Sequence, residues 1–239
     1  MLRFSTALGF FGLLLLGSTA CANPSDRDQP ESGTGDSTVD TQKPVVTPPV
    51  FESTVSPLPE DLRGAMSGTT WTHECPVHLN DLRLIEANYW DYNGALQTGR
   101  LVVAVSATDT FVAVLKTAFD SQFPFERMEP VSGYNGSDDA SMAANNTSAF
   151  NCRAVTGGSS WSQHSYGNAI DINPIQNPYV KGNTVLPPAG AAYLQRDPSV
   201  PGLLVQDSPV VQEFLAAGWG WGGNWSSLKD YQHFSETGK

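Results

Sequence analysis

Apolar and polar positions change period along the chain. From Leu82 to Tyr92 they alternate loosely, which predicts a strand ending at Asn93-Gly94, a pair suited to a hairpin turn. Arg100 to Val105 predicts a second strand, with Leu101, Val103 and Val105 on one face. The period then lengthens. Phe111, Val114, Leu115, Ala118 and Phe119 form one stripe of a helix that begins at a Ser106 or Thr108 cap and runs to about Gln122. Arg127 to Val131 predicts a further strand, and Ser208-Pro209 opens a helix that Gly218 stops after Ala217. Trp161 to Pro174 reads as a hairpin turning at Tyr166-Gly167, which places His164, Ala169 and Asp171 on one face. Strands before, between and after two helices predict an α+β domain, a small antiparallel sheet with flanking helices.

The N-terminal region follows a different pattern. Arg3, the apolar run Phe4 to Leu16 and the small residues Gly17 to Ala20 read as an export signal over residues 1–20. Cys21 after Ala20 resembles the lipobox of bacterial lipoproteins, in which the cysteine is acylated, although Ser18 departs from the usual leucine. Residues 21–65, densest in Pro, Ser, Thr, Asp and Gly from Asn23 to Pro59, predict a disordered linker. The folded domain, which carries the candidate chemistry below, is then expected over 66–239. Export, followed either by lipid anchoring at the outer face of the cytoplasmic membrane or by secretion, is the expected localisation.

Composition narrows the function. A formal net charge of −11, with only 13 Lys and Arg in 239 residues, excludes a nucleic-acid partner that would need clustered cations. Any membrane association is expected only through Cys21, and the protein is expected to be a monomer. Beyond Cys21, the remaining cysteines are Cys75 and Cys152. In an exported chain such a pair reads as a disulfide, and the competing reading is two buried thiols.

The candidate chemistry lies in two blocks. His164 and Asp171 offer a nitrogen and an oxygen ligand, and a third ligand is expected at His233 within Asp230-Tyr231-Gln232-His233-Phe234-Ser235. Two histidines and a carboxylate with an open position match the way catalytic zinc is held. At these residues the chain resembles the LAS-type zinc peptidases of bacterial cell walls. That family motif, Ser-x-His-x-x-Gly-x-Ala-x-Asp followed downstream by Glu/Asp-x-x-His, is met by Ser162, His164, Gly167, Ala169 and Asp171, then by Asp230 and His233. Phe123-Pro124, Asp138-Asp139, Asn145 to Arg153 and Gly218 to Gly223 look like the carboxypeptidase-like subgroup that includes phage L-alanyl-D-glutamate endolysins.

The resemblance implies a D-alanyl-D-alanine peptidase-like zinc domain acting on peptidoglycan stem peptides. One Zn2+ per chain would be held by His164, Asp171 and His233, with Asp230 as general base. Ser162 and Arg153 are implied as substrate-binding residues. Arg153 enters because Ser132-Gly133-Tyr134 is followed by Asn135 where many relatives carry arginine; Arg127 is the weaker substitute. Two other readings use the same residues: a metal-containing module that binds cell wall without turnover, and a non-haem iron oxygenase built on the same two-histidine, one-carboxylate set.

Overall fold

The computed structural model describes residues 48–155 and 158–239, and Pro48–Lys239 forms one compact unit. The expected export signal and Cys21 lie outside the described residues, as does the first part of the linker. No helix among the described residues is long and apolar enough to cross a membrane.

Regular structure occurs within the stretch that the composition assigns to a linker. Strand β1 (Ser53–Pro57) and helix α1 (Glu60–Met66) fall within the stretch assigned to the linker. The expected boundary at 65 therefore does not hold for Ser53–Met66, which is folded. Strand β1 is an edge strand with only half-buried and exposed side chains, so its sequence resembles a linker, while Leu58, Leu62 and Met66 are buried.

Strands β2 (Leu82–Trp90) and β3 (Leu96–Ala104) form the expected hairpin, and β1 adds to its edge in the order β1-β2-β3. Its loop is held by the Asp91 carboxylate, which accepts from the N–H groups of Asn93 and Ala95, and Gly94 supplies the left-handed turn. Both faces of this sheet are covered. Ile85, Leu101 and Val103 meet the main core, whereas Leu82, Leu84 and Val102 meet a second cluster with α1, Trp71 and Phe150. Two-sided burial explains the loose alternation of the sequence here. Strand β3 starts four residues before the predicted Arg100, and Val105 leaves it for a 3-10 turn, where it is exposed.

Helix α2 (Thr108–Asp120) buries the whole predicted stripe, Phe111, Val114, Leu115, Ala118 and Phe119. No side chain caps it: the preceding 3-10 turn delivers the chain already coiled. The predicted strand at Arg127–Val131 shrinks to β4 (Arg127–Met128), paired parallel with β5 (Asn146–Thr147) across the short helix α3 (Asp138–Ala143).

The remaining elements frame the site. Strand β6 (Ala169–Asp171) precedes the hairpin of β7 (Tyr179–Lys181) and β8 (Thr184–Leu186). Helix α4 (Pro209–Ala216), with proline in its first turn, packs Val210, Val211 and Phe214 into the core. After Gly218 come β9 (Gly220–Trp221), β10 (Lys229–Asp230) and β11 (His233–Ser235). The C-terminal strands form two three-stranded antiparallel sheets, β6-β11-β9 and β10-β7-β8. The α+β class is as expected, but several small sheets replace the one predicted.

Cys75 and Cys152 are bonded, 77 positions apart in sequence. The bond ties the Trp71 cluster to the residue before Arg153, and Cys152 N–H also donates to Thr70 O.

Candidate metal and catalytic site

The predicted hairpin at Trp161–Pro174 does not form. Gln163–Tyr166 is a 3-10 turn, in which Ser162 Oγ accepts from His164 N–H at 3.3 Å and Gly167 closes the end at φ +73°. Gly167 also meets β3 directly: Ala104 N–H donates to its carbonyl, and a Cβ at this position would lie 2.6 Å from Ala104 N. Period-2 patterning cannot register a turn of this kind, because an isolated apolar/polar alternation fits both. His164 and Asp171 therefore approach through a turn packed on the sheet and not as diagonal neighbours in one hairpin.

The other two ligand candidates are cross-strand partners. β11 pairs antiparallel with β6, and His233 sits opposite Asp171. Side chains alternate on each strand, so these two face the cavity while Ile170 and Phe234 face the core. Phe234 stacks on Phe214 at a centroid distance of 4.3 Å and lies parallel to Trp221. Apolar packing on one face thus fixes the polar pair on the other. Asp171 is held further by reciprocal backbone bonds with Ser148.

His164, Asp171 and His233 each offer a ligand atom within 4.8 Å of the others, and all three are at most 6% exposed. Their protons are directed outward. His164 Nδ1 lies 2.6 Å from Ala149 O, and His233 Nε2 lies 3.2 Å from Lys239 O. A main-chain oxygen only accepts, so those nitrogens carry the hydrogens, and in the neutral rings His164 Nε2 and His233 Nδ1 are bare. The two bare nitrogens are 3.1 Å apart and lie 3.2 and 3.1 Å from the Asp171 oxygens. With both rings neutral, four lone-pair bearers converge on one point, an arrangement that suits a cation.

The charges respond accordingly. Burial opposes ionisation of Asp171, yet the two histidines outweigh it and hold its carboxyl far below the usual carboxylate range. Burial would depress His233, but its bond to Asp171 and the nearby Asp230 raise it. Burial, reinforced by Asp171, pushes Asp230 up to about 7.

A cavity of about 470 Å³ opens over this cluster, and Asp230, Arg153, Ser162, Gln232 and Trp225 contribute to its wall. Asp230 ends β10, which pairs with β7, so it approaches from a different sheet than His233. Its Oδ1 is shut off from solvent and has no hydrogen-bond partner. Gly222 lies against it, where any side chain would intrude. Trp219 and Trp221 are core residues, while Trp225 packs on His233 at 5.6 Å with its indole N–H donated to Gly238 O.

Arg153 reaches the cavity already paired, its Nη2 lying 2.8 Å from Asp138 Oδ2. Asp138 was not legible as a site residue. The only signal was its place in the Asp138-Asp139 likeness, which carries no role by itself. Burial raises its pKa and Arg153 opposes that rise. Ser165 Oγ bonds both N–H and C=O of Arg153 and fixes the backbone there. The Ala149 and Lys239 carbonyls were also missed, since main-chain acceptors leave no mark in sequence. Arg127 is exposed and does not line the cavity. His73 and His78 lie away from the cluster, packed on Trp71.

Residues 156–236 match the family model described as D-alanyl-D-alanine carboxypeptidase. No curated protein and no solved structure matches the chain. The matched stretch contains both motif blocks, hence the three converging side chains and Asp230. By that match the segment carrying this site is similar to the family described as D-alanyl-D-alanine carboxypeptidase.

Proposed function

We propose that the protein is an exported zinc peptidase that hydrolyses the stem peptides of peptidoglycan, either releasing terminal D-alanine or cutting an internal bond. The observation that carries this reading is the convergence of His164 Nε2, His233 Nδ1 and the Asp171 carboxylate with both imidazole hydrogens turned away. These residues would hold one zinc ion. When bound, zinc supplies Lewis-acid charge that lowers the pKa of water towards about 7 and polarises a carbonyl oxygen.

The chain's own groups move the proton. Asp230, ionised, accepts it from the attacking water and then passes it to the amine of the departing peptide as the C–N bond breaks. An aspartic acid near its usual pKa of about 3.9 takes up a proton too weakly to relay it well at neutral pH. Burial and the neighbouring Asp171 correct this, and the unpartnered Oδ1 leaves the lone pair available. Ser162 Oγ already accepts from His164 N–H, so its own hydrogen remains to be donated to substrate. Arg153, with its charge offset by Asp138, offers a free Nε–H to the substrate.

The test uses the zinc-loaded chain on purified sacculi, with mass spectrometry of the released fragments. New termini are expected, and the residue at each terminus identifies the bond. Asp230→Asn should keep zinc and lose most turnover, and undiminished turnover would remove Asp230 from the base role. Zinc-replete protein that cleaves nothing would leave a wall-binding module, and stoichiometric iron would favour the oxygenase.

A further inference from the structure

We infer that Gln232 is a specificity-determining residue whose carboxamide pairs with a main-chain amide of the bound peptide, next to the bond that is cut. This rests on the peptidase reading above. Gln232 stands directly before His233, is 3% exposed and forms part of the cavity wall. Its Nε2 donates to Met142 Sδ, at 3.5 Å, a weak acceptor, and its carboxamide also lies close enough to Asp230 to help hold that residue's carboxylate. Its Oε1 is sealed from solvent and has no partner.

Most other buried carboxamides here are satisfied; Asn151, whose Nδ2 is also unmet, does not line the cavity. Asn145 bonds Gln176 and Ile175, Asn146 bonds Glu129 and Ser141, and Asn177 bonds Ile172, Gly202 and Leu204. A buried carboxamide with one end unmet destabilises the fold, and an apolar residue of equal volume would not. The Oε1 end of Gln232, in the cavity wall, is thus open to a partner outside the chain.

The terminal torsion of glutamine is soft, and a thioether contact is given up at little loss, so the amide edge can turn to the cavity. That edge presents one acceptor beside one donor. An extended peptide residue directs its own N–H and C=O the same way, and so complements both. A substrate carboxylate accepts only. It would satisfy Nε2 and leave Oε1 facing negative charge, beside the acids Asp171 and Asp230. The ligand class is thus a neutral main-chain unit.

The experiment is a series of synthetic stem peptides in which amides flanking the scissile bond are replaced singly by esters, assayed with zinc-loaded full-length protein. At one position the ester should lower kcat/KM by about 10- to 100-fold, the loss of one buried hydrogen bond. Gln232→Met should show the same loss on the parent peptide, unchanged zinc content, and no preference between amide and ester at that position. Equal rates across the series in the wild type would overturn the inference while leaving the peptidase reading intact. So would an amide preference that survives Gln232→Met. A wild type that cleaves no stem peptide would remove both.

Discussion

Gly222→Ala tests whether backbone packing sets the position of Asp230. An added Cβ would sit 2.4 Å from Asp230 O and 2.8 Å from Asp230 Cβ. Carbon contacts are comfortable near 3.5–4.0 Å, so one segment must move by roughly 1 Å. Overpacking of this kind costs about 1–3 kcal/mol, well within the 5–15 kcal/mol by which such domains are stable. The melting temperature should therefore fall by roughly 2–12 °C, without loss of the fold. A 1 Å displacement of a catalytic group costs about 100-fold in rate, or roughly 2.7 kcal/mol. The three converging side chains are not touched, so zinc stoichiometry should stay at one. The assay combines stem-peptide hydrolysis, metal analysis and thermal melting, with Gly64→Ala as control because its added Cβ meets nothing within 4 Å. A Gly222→Ala protein with wild-type kcat and lowered melting temperature would show that Asp230 tolerates displacement, which a proton relay does not.

The disulfide spans 77 positions, and its loss through Cys75→Ser with Cys152→Ser should cost about 4 kcal/mol in the chain-entropy view, measured by urea unfolding. Zinc binding should expel a proton near neutral pH, because His233 holds one above its ordinary range until a cation replaces it. Calorimetry in buffers of differing ionisation enthalpy reads this directly, and affinity should fall as pH is lowered. In the chelated, metal-free protein, folded Asp230 keeps its proton to about 7 while the unfolded chain loses it near 3.9. The folded state then binds more protons across that window, so this residue's contribution to stability declines as pH rises through it. The difference between wild type and Asp230→Asn in unfolding free energy at pH 4 and pH 8 isolates that slope.

What could be read from the chain divides along physical lines. The α2 stripe and the β2/β3 hairpin were legible, because long elements repeat their period many times. The short elements around the cavity repeat nothing. β10 and β11 together span five residues, and the turn carrying His164 spans four. The donor atoms were legible through spacing in the two motif blocks. Their acceptors were not: Ala149 and Lys239 act through main-chain oxygens, and Asp138 meets Arg153 only after folding. β1 stayed hidden because an exposed edge strand needs no apolar signature.

Those two carbonyls have a consequence for how the centre tolerates change. Replacing the residue at 149 or 239 alters a side chain but leaves the oxygen that orients its imidazole in place. Control of tautomer is thereby shielded from ordinary point substitution and exposed chiefly to insertions, deletions or prolines that reroute the main chain. Substitutions at exposed Lys239 should be quiet, and those at buried Ala149 should cost stability through crowding before they touch metal uptake, while single-residue indels beside either should abolish it.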